Sequence, residues 1–263
     1  MARSTFYYQM KAIRAGDKHA ALKKEISAIF VRHKGRYGYR RIVATIRNQG
    51  KTVNHKTVQS LMSALGLKSL VRPKKYRSYK GEIGIPAPNL LERQFHATGA
   101  NQKWVTDVTE FKIAGEKLYL SPVMDLHNGE IIAFETSRRP KFALVGTMLK
   151  RALKRLQPGQ KPVLHSDQGW HYRMPAYQRT LKENCVVQSM SRKGNCLDNA
   201  AMESFFAVLK SEYFYLNKFS SVDDLEAGIK QYIRYYNNDR IKMKLKGLSP
   251  VQYRTQPSAL HPH

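Results

Sequence analysis

From Trp104 onward the apolar residues change their spacing in an order that few folds can satisfy. "WVTDVTEFKI" alternates, with Val105, Asp107, Thr109, Phe111 and Ile113 on one face of an expected strand. "KLYLSPVMDL" and "EIIAFETS" read as two more strands. Turn signals at Ala114-Gly115 and Asn128-Gly129 join the three into an antiparallel set, the second being a strong hairpin signal. Strand-length and helix-length segments then take turns. A helix over 141–156 carries Val145, Leu149, Ala152, Leu153 and Leu156 inward and stops at Pro158-Gly159. After it come the strand "PVLHSD", a helix over 175–184, the strand "CVVQSM", the loop "SRKGNCLDN" and the helix "AAMESFFAVLKSE". An order β-β-β-α-β-α-β-α predicts an α/β protein with a mixed sheet.

Three acids stand out against this frame. Asp107 sits among apolar neighbours in the opening strand. Asp167 ends the apolar strand of "VLHSDQGWHY", and Glu203 lies on the last helix. A buried carboxylate is costly unless something pairs with it. Asp167 comes beside Asp107 if the sheet is wound in the usual way, and the helix of Glu203 can pack against that edge. Converging carboxylates repel unless a cation sits among them. Oxygen-only ligands suit Mg²⁺, with Mn²⁺ able to substitute. Taken singly, each acid also has an ordinary structural role open to it: a hydrogen-bonded strand residue, a turn former, a solvated helix residue. His165 and His171 lie nearby without partners at zinc spacing.

The amino-terminal third is helical. "AALKKEISAIFVRH" puts Leu22, Ile26, Ile29 and Phe30 on one face, and Gly35 and Gly38 then break the pattern. "YRRIVATIRNQG" is a second helix ending at Gly50. "NHKTVQSLMSALGL" is a third, with Asn54 as amino cap, Val58, Leu61, Met62 and Leu65 inward, and Gly66 as carboxy cap. This is a helix-turn-helix layout. Its third helix shows His55, Lys56, Gln59 and Ser63 outward, a set that suits base edges and phosphates or a plain solvated face.

Charge separates these readings. The chain of 263 residues carries 46 Lys and Arg against 19 Asp and Glu. Residues 1–80 hold 20 of the basic and two of the acidic side chains, a net of +18, whereas the rest nets +9. Such an excess points to a polyanion, most simply nucleic acid. The segment 71–89, with five basic residues before Gly81, is a linker that either follows a phosphate backbone or merely tethers. No run of about 18 apolar residues exists, so no membrane partner is expected. Two cysteines, Cys185 and Cys196, give no disulfide framework, and a reduced cytoplasmic setting is expected.

"WVTDVTEF", "VLHSDQGWHY" and "SMSRKGNCLDNAAMESFFAVLKSE" together resemble the three blocks of the DDE transposases related to retroviral integrases. They look most like the second-frame, OrfB-type transposases of bacterial insertion sequences. Thirty-five residues separate Asp167 from Glu203, and Lys210 follows seven later. "GRYGYRRI" and "NHKTVQSLM" are similar to that family's helix-turn-helix, and "YYNNDRIKMKLKGLSPVQYR" to its tail. The resemblance implies a ribonuclease-H-like core in which Asp107, Asp167 and Glu203 are the catalytic, metal-holding carboxylates. It places Lys210 on DNA, with Arg40, Arg41, His55, Lys56 and Gln59 of the amino-terminal module. It implies two-metal strand cleavage and strand transfer on insertion-sequence ends and target DNA, by a homo-oligomer in the bacterial cytoplasm at the nucleoid. An upstream-frame protein, separate or fused, is a further implied partner. The expected division is 1–70 for the helix-turn-helix module, 71–100 for the linker, 101–215 for the core and 216–263 for a helix and tail. A metal-dependent nuclease of the same fold and a non-catalytic DNA-binding regulator are the alternatives.

Overall fold

The computed structural model describes residues 3–5, 7, 10, 17–70, 89–90, 96–191 and 199–256. Cys196 lies outside them. The chain divides into two compact units, Met1–Val71 and Arg72–His263.

The first unit contains α1 (Ala20–Arg32), α2 (Tyr39–Asn48) and α3 (His55–Ala64). Ile26, Ile29, Ile42, Val43, Ile46, Val58, Leu61 and Met62 are buried. Asn54 caps α3 by accepting from Lys56 N at 2.9 Å. Gly66 takes φ +66, with Gly66 N donating to Ser63 O and Leu67 N to Met62 O, a Schellman ending. A side chain at position 35 would be strained: the φ of Gly35 is +71, and an added Cβ would stand 2.7 Å from Leu70 Cδ1, which would have to move.

The second unit is a six-stranded mixed sheet between helices. Its elements are β1 (Lys103–Thr106), β2 (Thr109–Ile113), β3 (Glu116–Asp125), β4 (Ile131–Ser137), α4 (Phe142–Leu153), β5 (Val163–Ser166), α5 (Pro175–Glu183), β6 (Val187–Met190), α6 (Ala200–Glu212), α7 (Val222–Asn238) and α8 (Pro250–Arg254). β3 pairs antiparallel with β4 on one side and with β1 and β2 on the other. β1 then runs parallel to β5, and β5 to β6. The expected opening strand is thus two strands in one register, since Thr106 faces Val123 and Thr109 faces Leu120. That register sets Asp107 opposite Pro122, which has no N–H to give the ladder. Asp107 is released from regular pairing at that point.

Two apolar clusters cover the sheet. Val105, Phe111, Leu118 and Leu120 meet Met202, Phe205 and Leu209 of α6 and Leu225, Ile229 and Tyr232 of α7. Trp104, Val123 and Leu164 meet Val145, Met148 and Leu149 of α4 and Tyr177 and Leu181 of α5. Ala114 (φ 46) and Gly115 (φ 84) form the two-residue β2–β3 turn. The β3–β4 connection is longer than a two-residue hairpin: Asp125 N donates to Glu130 O at 2.9 Å and Gly129 N to Asp125 O at 2.7 Å, while Asn128 Nδ2 donates to Pro250 O at 2.8 Å.

Candidate active site

Asp107 and Asp167 are brought level by strand pairing. Lys103, Trp104 and Val105 of β1 stand beside Val163, Leu164 and His165 of β5. Carrying that offset forward puts Asp107 beside Asp167, just past the carboxyl ends of two parallel strands, where open α/β sheets place ligands. Alternation gives the face. Val105 and Val163 pack towards α6 and α7, so residues two and four further along point the same way. Glu203 enters from α6, which covers that face.

The electrostatics show that these groups sense one another. Burial first, then the charge of Asp167 and that of Glu203, push the Asp107 carboxyl up to about 8. Val108 N, donating to Asp107 Oδ1 at 2.7 Å, and the Lys210 ammonium pull it back. Asp167 is exposed, yet enough protein crowds its carboxyl to raise its pKa as well. Gly169 N, donating to Oδ1 at 2.9 Å, opposes that rise, as do His171 and Arg173. Asp167 is the carboxylate that meets solvent, and Asp107 is half-buried. No group of three or more His, Cys, Asp and Glu side chains is gathered closely enough to hold a metal ion among the described residues. Glu203 is therefore near Asp107 but not drawn into a finished ligand cage.

Lys210 lies two turns along α6 from Glu203. Its Nζ donates to Thr109 Oγ1 at 2.7 Å and stands 5.3 Å from the Phe111 ring centroid. It therefore faces the body of the protein, at the strand that follows Asp107. Sequence reasoning missed two neighbours. Asn199, just before α6, donates from Nδ2 to Thr106 O at 3.2 Å and is buried. Tyr172 is buried, and after burial itself the charges of Asp167 and Asp107 push its hydroxyl pKa up. An Asn in a glycine loop and a Tyr five residues past Asp167 carry no signal until the sheet is assembled. His165 is structural: its ring bonds Ser189 Oγ at 2.8 Å and Ser191 Oγ at 3.1 Å in the core.

In the first unit His55, Lys56, Gln59 and Ser63 are all exposed on α3. Arg40 is exposed and bonds the Tyr39 hydroxyl at 3.2 Å. Arg41 is half-buried, 5.4 Å from the Tyr37 ring centroid. Tyr39 in turn stacks on His55 at 6.5 Å, which ties the start of α2 to the start of α3.

Comparison with known proteins gives the family. Residues 17–75 match the family described as an HTH-like domain, and residues 97–196 and 203–257 match two families described as integrase core domains. The chain is 56% identical to the InsK protein of insertion sequence element IS150 from Escherichia coli (strain K12), over 97% of this chain and 90% of that one. It is 37% identical to transposase InsF for insertion sequence IS3A of the same strain, over 87% and 80%. In fold it resembles the simian T-cell lymphotropic virus intasome bound to PP2A regulatory subunit B56 gamma, with a TM-score of 0.54 at 16% identity over 90% of this chain and 76% of that one. With a helix-turn-helix unit, an integrase-type mixed sheet and this identity across nearly its whole length, the chain belongs to the family of insertion-sequence transposases with an integrase core.

Proposed function

We propose that the chain cuts DNA at the ends of an insertion sequence and joins them to target DNA, with Asp107, Asp167 and Glu203 holding a pair of Mg²⁺ ions. The observation that carries this reading is the offset at which β1 and β5 pair, which sets Asp107 beside Asp167 past the ends of two parallel strands, with α6 and its Glu203 over the same face. A donor set of carboxylate oxygens with excess charge fits Mg²⁺, and Mn²⁺ in its place. Bound there, the divalent cations supply Lewis-acid neutralisation of a phosphate and an acidified water or 3′-hydroxyl. The chain's own groups do the rest. Asp167, the exposed member, meets the incoming phosphate side. Asp107, half-buried, anchors from the protein side, and Asn199 fixes the Thr106 carbonyl one residue before it. Lys210 balances charge beside Asp107 and supplies a cation for the DNA backbone. The α3 face, with Arg40 and Arg41, holds duplex DNA.

Asp167→Asn keeps the side-chain volume and removes one charge. It should lower Mg²⁺-dependent cleavage and joining of labelled end duplexes by at least about 100-fold. DNA binding should stay within about threefold, because it rests on basic surfaces elsewhere. Substantial metal-dependent activity in the variant overturns the assignment. Cleavage without any joining of pre-cut ends would identify a nuclease instead.

A further inference from the structure

One of the chain's two tryptophans is fully buried as Trp104, and the other, Trp170, is 47% exposed. An isolated exposed apolar side chain needs no explanation. Trp170 is set apart by what backs it and what surrounds it. It opens a tight helical turn, Trp170–Arg173, three residues after Asp167. That turn is held to Asp167 by the Gly169 N–H on Asp167 Oδ1, and Gly169 is so close that an added Cβ would meet the same oxygen at 2.9 Å. The indole lies on the His171 ring at 3.9 Å between centroids and 29° between planes. His171 is buried, and its Nε2 donates to Pro140 O at 3.2 Å. The aromatic face is therefore rigid, backed on one side and open on the other.

Its surroundings are basic. The Pro140 contact brings the 138–141 segment beside the turn, where Arg139 and Lys141 are exposed. Arg173 closes the same turn and acts on Asp167. Its Nε is buried without a hydrogen-bond partner among the described residues. A flat aromatic face flanked by cations is the arrangement on which unpaired bases stack while the backbone follows the charge.

We propose that Trp170 is a stacking platform for one unpaired base of the DNA strand whose phosphate enters the carboxylate site, with Arg139, Lys141 and Arg173 along its backbone. The inference rests on the proposed site, and it names the substrate conformation that site takes. The base belongs either to the element end or to the target strand.

The test is a binding cycle with the full chain and no divalent metal. Abasic positions are scanned one at a time through a duplex taken from the DNA flanking the reading frame, and separately through an unrelated target duplex. Trp170→Ala should weaken binding roughly five- to hundred-fold, and Trp170→Phe should retain most of it. At one position, deleting the base should cost as much as Trp170→Ala, and the two together no more than either. The duplex that contains that position identifies the strand. Unchanged melting temperatures establish that both variants are folded. Binding of Trp170→Ala within about twofold of wild type, or losses that multiply at every position of both duplexes, overturns the proposal. Because the readout is binding, a chain that shows the coupling yet never cuts DNA would overturn the proposed reaction alone.

Discussion

Burial and the charges of Asp167 and Glu203 hold the Asp107 carboxyl at about 8, so the folded protein keeps a proton that the unfolded chain releases near 3.8. A carboxyl raised in this direction contributes stability that is fully present below about 3.8 and is lost as the pH climbs through about 8. Without divalent metal, Asp107→Asn should therefore be more stable than wild type. The gain should grow with pH and reach about 1–3 kcal/mol on the alkaline side, since one pKa unit is worth about 1.4 kcal/mol. Mg²⁺ should raise the wild-type melting temperature more on the alkaline side than near pH 6, and leave Asp107→Asn nearly unmoved. Calorimetry of both proteins at several pH values, with chelator and with Mg²⁺, checks this. A variant that melts below wild type throughout would contradict it. Lys210 pulls the same carboxyl down, so Lys210→Ala should move the alkaline limb still higher.

Between elements, the second unit is tied by buried ion pairs that no local pattern announces. Glu212 at the end of α6 takes two bonds from Arg240, at 2.8 and 2.7 Å, and a third from the Tyr232 hydroxyl of α7 at 2.9 Å. Arg254 of α8 reaches Asp125 at the end of β3 and pairs with Glu130 at 3.0 Å. Removing one member strands a buried charge, so Glu212→Ala should cost about 3–5 kcal/mol, read as a lower urea midpoint. Packing of α7 on α6 also needs Gly228, where an added Cβ would fall 1.5 Å from the Tyr213 hydroxyl. Gly228→Ala should destabilise by roughly 1–3 kcal/mol in the same titration. Unchanged midpoints in both variants would mean that this helix pair tolerates loosening.

Across the whole chain, charge is divided unevenly, with +18 in the first 80 residues and +9 in the remainder. DNA binding should accordingly fall steeply with salt, and Lys56→Ala should reduce the slope of log affinity against log salt by about 0.9 if Lys56 neutralises one phosphate. Fluorescence anisotropy across a salt series measures that slope, and an unchanged value removes Lys56 from the backbone contacts. The helices α1 to α6, the Asn54 and Gly66 caps and the Ala114-Gly115 turn were legible in the sequence, because apolar period, capping and positive φ are local properties. Asp107, Asp167 and Glu203 are singled out together by their spacing and the family resemblance. Assembly alone decided the rest. Asp107 stands level with Asp167 because β1 and β5 pair at one particular offset, and it leaves the ladder because Pro122 of another strand lies opposite. Its raised pKa, the Lys210–Thr109 bond and the Arg254–Asp125 pair join residues dozens to over a hundred positions apart. Such contacts depend on which surfaces meet when the layers stack, and a one-dimensional pattern does not carry that information.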